Sequence, residues 1–128
     1  MNIINNEKTQ IVIKKDVYKL NEIELIYTEK NVLVICVNSK RVKYKCEDAP
    51  KEFRYIASQI IINQLNNFVL LLTGNNMVNI NKIEEVSLMS FDLKIRTQHH
   101  LYILSNANCM EYMCLKQKIK NNKTSVIK

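Results

Sequence analysis

Cleavage by paired carboxylates needs two acids aimed at one bond, and the sequence offers Glu84 and Glu85. They are neighbours in a segment with strand periodicity, so they are expected on opposite faces, where they cannot act on one substrate. The two histidines, His99 and His100, are also adjacent. His99 is predicted on an apolar strand face, as a hydrogen-bonded core residue. His100 is predicted to face outward beside Arg96, where it could touch phosphate. Cys36, Cys46, Cys109 and Cys114 contain no Cys-x-x-Cys pair, so a structural zinc site is not expected. The first two read as small core hydrophobes, the last two as free thiols of a reducing compartment. A chain with one glycine cannot build a glycine-rich phosphate loop. We therefore expect no enzyme, no metal and no small-molecule cofactor.

The elements that position these residues follow mostly a period of two. Ile11 and Ile13 mark a first strand, and residues 17–20 a short second one. Ile23, Leu25 and Tyr27 alternate with Glu22, Glu24 and Thr28, as in a half-buried strand. The run Val32 to Val37 reads as a strand buried on both faces. After a turn at residues 38–40, Val42, Tyr44 and Cys46 alternate with Arg41, Lys43 and Lys45, which puts a basic stripe on one face. Asp48 is a fitting N-cap, with Pro50 in the first turn of a helix. Phe53, Ile56, Ala57, Ile60 and Ile61 continue that helix at three- and four-residue spacing to about Asn63. Strands are expected at 68–72, 77–80, 83–91 and 93–104, the last as one continuous strand. Residues 73–76 form the clearest turn. A second helix is predicted from Ser105 or Asn106 to about Lys120. The fold class is mainly β with two helices in a single domain, and the order of elements excludes a βαβ repeat.

With 128 residues, 47% of them hydrophobic and 24% charged, the chain fits one ordinary globular domain. No run reaches the ~20 apolar residues of a membrane span, and residues 1–7 lack the regions of a secretory signal, so a cytoplasmic protein is expected. The net charge is +7. Basic and acidic residues balance over 1–30 and 67–104. The excess lies in 31–66, with Lys40, Arg41, Lys43, Lys45, Lys51 and Arg54, and in 105–128, with five lysines against Glu111. Such clustering suits a surface that meets a polyanion, and equally a lysine-rich solvated surface. Residues 1–9 are expected to be a flexible N-terminus, 10–120 the domain, and 121–128 a flexible basic tail. Met1 at the start and the absence of a tag point to a solitary chain without a receiver domain.

The segment from Asn67 to Val86 resembles the signature of LytTR domains, DNA-binding modules of bacterial transcription regulators. That signature reads Phe-x-Arg-Ile-His-Arg-Ser-Tyr-Ile-Val-Asn-Leu-Asn-Lys-Ile, and residues 77–83 (Met-Val-Asn-Ile-Asn-Lys-Ile) match it closely. Residues 21–27 (Asn-Glu-Ile-Glu-Leu-Ile-Tyr) resemble an upstream Asp-Ile-x-Tyr-Ile-Glu segment. The hairpin and helix over 32–64 follow in the family's order, so the resemblance covers roughly residues 10–120. It implies elongated, stacked β-sheets that present loops, rather than a recognition helix, to the DNA major groove. On this resemblance the contacts fall on three loops. The first carries Lys30 or Asn31, the second Thr73, Gly74 and Asn75, and the third Ser105 and Asn106.

Leu71, Thr73 and Gly74 stand where the signature has Arg, His and Arg, and Asn106 stands where Arg is common. Phe68 is also one residue farther from Asn79 than in the signature. Arginine bridges guanine O6 and N7, worth ~1–3 kcal/mol of discrimination. Asparagine reads adenine N6 and N7 by the same two-bond logic, so Asn31, Asn75, Asn76 and Asn106 point to A·T-rich sites. The expected function is sequence-specific transcription regulation on double-stranded DNA, at repeated half-sites bound by a weak homodimer. Lys40, Arg41, Arg96 and His100 would supply phosphate contacts. The alternative is an interaction module of the same fold, without DNA activity, that sequesters another regulator or a membrane-associated partner. Convergence of Lys30, Lys40, Arg41, Lys94, Arg96 and Lys116 with the Asn-rich loops would favour DNA, and their scatter would favour the interaction module.

Overall fold

A strand whose residues are apolar in both phases of the alternation must be covered on both sides. The computed structural model meets that requirement with three layers. It describes residues 3–71, 75–105, 107 and 109–127, with side chains to residue 121. The hairpin β1 (Gln10–Ile13) and β2 (Asp16–Lys19) leads through a 3₁₀ turn, Leu20–Glu22, into β3 (Ile23–Glu29), β4 (Val32–Val37) and β5 (Lys40–Lys45). Helix α1 (Ala49–Ile62) precedes β6 (Phe68–Leu71) and β7 (Asn76–Asn79). A second 3₁₀ turn, Ile80–Lys82, opens β8 (Ile83–Met89), β9 (Asp92–Thr97) and β10 (Leu101–Leu104), and α2 (Cys109–Ile127) closes the chain. All pairings are antiparallel: β5-β4-β3-β7-β6 form the central sheet, β10-β9-β8 a second, and β1-β2 a third.

The alternation in β4 shows how the layers divide. Leu33 and Ile35 pack with Phe53, Ile56 and Ile60 of α1 and with Ile11 and Ile13 of the hairpin. Val34 and Cys36 point the other way, toward Val86, Leu93 and Ile95 of the second sheet and Leu115 of α2. The apolar run of residues 32–37 is thus explained, and α1 begins as its sequence demands, with Asp48 accepting from the Lys51 amide at 3.2 Å. Tyr44 of β5 donates to Asp16 at 2.5 Å and shares a hydrogen bond with Tyr18, which fastens the hairpin to the central sheet.

The structure departs from the periodic reading in five places. A bulge between Ile23 and Leu25 puts two successive residues of β3 against one of β4. Ile23 then packs on the α1 side while Leu25 and Tyr27 face the second sheet, and Glu24 is fully buried. A second bulge, between Ile83 and Glu85, brings Glu84 and Glu85 to one partner instead of opposite faces: Arg96 meets them at 2.6 and 3.7 Å. The strand expected over 93–104 is a hairpin that turns at residues 98–100. The Thr97 hydroxyl bonds to the His100 backbone there, at 3.2 Å, and offers the chain an alternative to the ladder. Leu101 and Ile103 therefore leave the core and lie exposed, while Leu104 is buried. At the N-terminus, Ile4 is buried and bridged to Ile11. Helix α2 starts later than expected and runs on through Ile127.

Candidate nucleic-acid interface

Strand register fixes which loops share an end of the molecule. Glu29 pairs with Val32, so Lys30 and Asn31 form the turn at the C-terminal end of β3. Tyr27 pairs with Asn76, so β7 begins beside that same end, where the connection from β6 arrives. Val32 also pairs with Lys45, which places the end of β5 there, and the Cys46 amide donates to the Asn31 carbonyl at 2.8 Å. The second sheet is oriented by Tyr102, whose ring lies 4.8 Å from that of Tyr27 and whose hydroxyl donates to the Asn76 side chain. Strand β10 hence ends over the same edge, and the Ala107 amide donates to Phe91, in the β8–β9 turn, at 2.9 Å. The β3–β4 and β8–β9 turns, the start of β7 and the ends of β5 and β10 all lie at this one end.

At this loop end Lys30, Asn31 and Ser105 are exposed and Asn75 is half-buried. Lys30 adopts a positive φ of 52°, a left-handed backbone that turns the chain sharply. Asn76 is 5% exposed, and its side-chain oxygen is taken by Tyr102. It is turned into the fold and presents no face to a base. Burial and the neighbouring Tyr27 push the Tyr102 phenol up to about 12, so it remains a donor at neutral pH. Thr73, Gly74 and Asn106 lie outside the described residues.

Arg41, Lys43 and Lys45 share the face of edge strand β5 that looks toward the second sheet, and all three are exposed. Arg41 lies against Cys36, whose thiol burial pushes up and so keeps protonated. The stripe leads to the loop end, where Lys45 comes close to the Lys30–Asn31 turn. The sequence reading named this stripe but left Lys43 and Lys45 out of the site, because only the β4–β5 register places them beside the first loop.

Lys40, Arg96 and His100 sit elsewhere. Val37 pairs with Lys40, and the β9–β10 turn lies over the start of β3. That is the opposite end, separated from the loops by the seven residues of β3, or roughly 20 Å. Arg96 is held by Glu84 and Glu85, so its charge is compensated. The His100 ring Nε2 lies 2.6 Å from the Asn38 carbonyl. A carbonyl only accepts, so this nitrogen carries the proton. His99 is the reverse of its expectation: its ring is exposed, and Nδ1 lies 2.6 Å from Glu24. Burial alone would raise the Glu24 carboxyl. His99 through its ring and amide (3.0 Å), with the Thr97 hydroxyl (2.5 Å), holds it below the ordinary range instead. Glu24 thereby clamps the second sheet onto the central one, a role that no periodicity reveals.

Among the described residues no group of three or more His, Cys, Asp or Glu is placed to hold a metal, and no helix is long and apolar enough to cross a membrane. No family model matches the sequence, and no curated protein matches it. A solved structure does. It is the LytTr DNA-binding domain of a protein described as a methyl-accepting/DNA response regulator from Bacillus cereus. It superposes with a TM-score of 0.51 over 86% of this chain and 93% of that one, at 10% identity. The fold is the LytTR fold. At that identity the likeness speaks for the fold alone. It accords with the three antiparallel sheets and two helices, and with the resemblance carried by residues 67–86.

Proposed function

We propose that this LytTR-fold domain is a sequence-specific DNA-binding regulator that reads double-stranded DNA with the loop end. The observation that carries the reading is the gathering there of the β3–β4 turn, the start of β7 and the end of β10, beside the basic stripe of β5. Loops at one end can enter a groove together, and phosphate-binding cations on the flank fix the register without reading sequence. Lys30, Lys43 and Lys45 are the phosphate contacts. Asn31, Asn75 and Ser105, with Thr73, Gly74 and Asn106, are the base-reading candidates, and the carboxamides of Asn31, Asn75 and Asn106 favour adenine. Repeated A·T-rich half-sites taken up by a weak homodimer remain part of the proposal. The basic residues do not all converge: Lys40, Arg96 and His100 belong to the far end, so they are left out of the interface.

One feature favours the second reading, an interaction module without DNA activity. Phe91 is 72% exposed in the β8–β9 turn, and Met89 at the end of β8 and Met110 at the start of α2 are exposed as well, apolar side chains at the same end of the molecule. Titration of labelled random and A·T-rich duplexes at two salt concentrations separates the readings. A regulator binds the A·T-rich duplex more tightly, weakens steeply with salt, and loses the preference on Asn31→Ala or Asn75→Ala. Binding no tighter than the ~10⁻⁴–10⁻⁶ M of a merely basic protein, insensitive to both substitutions, would leave the interaction module.

A further inference from the structure

A cavity of about 410 Å³ opens at the end of the molecule opposite the loops, between the β1–β2 hairpin, the two 3₁₀ turns and the start of β6. Lys8, Lys19 and Lys82 line it, with Thr9, and none of the residues that line it is acidic. Among the described residues none of these three ammonium groups forms an ion pair, in contrast to Lys14 and Arg96, which do. Three like charges around one hollow repel each other unless an anion sits between them. The wall between the lysines is apolar: Leu20 is buried, and Phe68 and Leu65 are half-buried. The Asn21 and Asn67 carboxamides complete the rim with donors and acceptors.

Three cations, an aromatic side chain and carboxamides lining one cavity make a site for one kind of molecule. We infer that this cavity binds a small phosphate monoester carrying a planar moiety, of the size of a nucleoside monophosphate. The phosphate would lie among Lys8, Lys19 and Lys82, its charge neutralised by theirs. The planar group would stack toward Phe68, and its polar edge would meet Asn67. A volume of 410 Å³ is within the usual range for small-molecule sites. The walls are also parts that hold the layers together. Leu20 donates its amide to Thr9 at 2.9 Å, Ile80 donates to Asn67 at 2.8 Å, and the Asn79 side chain donates to Ile23 at 3.0 Å. A bound anion would draw the hairpin toward the central sheet.

Calorimetric titration of the whole chain with nucleoside 5′-monophosphates, the matching nucleosides and inorganic phosphate tests this. At least one monophosphate should bind saturably at submillimolar concentration, with its nucleoside and inorganic phosphate at least tenfold weaker. The triple substitution Lys8→Gln, Lys19→Gln, Lys82→Gln should abolish binding while the free protein melts no lower than the parent, and Phe68→Leu should weaken the monophosphate more than inorganic phosphate. Lys40→Gln, at the same end but outside the cavity, should bind as the parent does. No saturable binding at millimolar concentration, or binding that survives the triple substitution, overturns the inference. So does a triple variant that loses duplex affinity when the parent binds no monophosphate, since the lysines would then be DNA-backbone contacts.

Discussion

Glu24 shows what a single side chain does in this molecule. A fully buried carboxylate is costly unless every oxygen is met, and here Thr97 and His99 supply three donors. Because they hold the carboxyl below its ordinary value of 4.5, their stabilisation is fully present above that pH and is lost as pH falls toward the lowered value. Denaturant unfolding across the acidic range should therefore show stability declining as the carboxyl titrates. Glu24→Gln should flatten that decline and be less stable than the parent at neutral pH by about 1–3 kcal/mol; an unchanged acid profile would show that Glu24 is not the group responsible. At the other end, in the proposed interface, Lys30 and Lys45 would act by charge. Each phosphate contact contributes about 0.9 to the slope of log affinity against log salt. Lys30→Ala and Lys45→Ala should each lower the slope by about that amount with sequence preference intact, and Arg96→Ala, already paired with Glu84 and Glu85, should leave it unchanged. Equal effects of all three would contradict the assignment.

At the scale of the element, the turns carry a cost set by composition. With one glycine in the chain, left-handed positions fall to other residues: Lys14, Lys15, Lys30, Asn38 and Ser90 all have positive φ. Lys14 and Lys15, at 51° and 75°, form a two-residue hairpin turn of the kind that prefers Asn-Gly. Lys15→Gly should raise stability by about 0.5–1 kcal/mol, because relief of the left-handed penalty exceeds the added chain entropy. Thermal unfolding checks it, and a lower melting temperature would contradict it. Asp48→Ala, by removing the cap of α1, should cost about 1 kcal/mol. These elements were legible in the sequence, since β5 and α1 each follow one period from end to end and β4 is an unbroken apolar run of strand length. Legibility failed where a local device broke the period. Two bulges moved Ile23, Glu24 and Glu84 to other faces, and the Thr97 hydroxyl turned one expected strand into the β9–β10 hairpin. The polar run Thr97-Gln98-His99-His100 was the signal that could have marked that turn.

For the whole molecule, the layers decide what the residues can do together. The second sheet lies across the central one through the Tyr27–Tyr102 contact at one end and the Glu24–His99 clamp at the other, and both join residues more than 70 positions apart. Sequence reasoning placed Lys30, Asn31, Asn75 and Ser105 in loops. It had no means to separate them from Lys40, Arg96 and His100, because only inter-sheet packing assigns an end to each turn. The same packing turned Asn76 inward. The two ends have different proposed roles: loops that read DNA, and a basic cavity that takes a small anion. Mapping amide chemical shifts while a duplex is added addresses the first role most directly. The loop-end reading requires the changes to concentrate at residues 30–31, 43–45, 75 and 105, and to spare 38–40 and 96–100. Changes centred on the far end, or spread evenly over both, would contradict it.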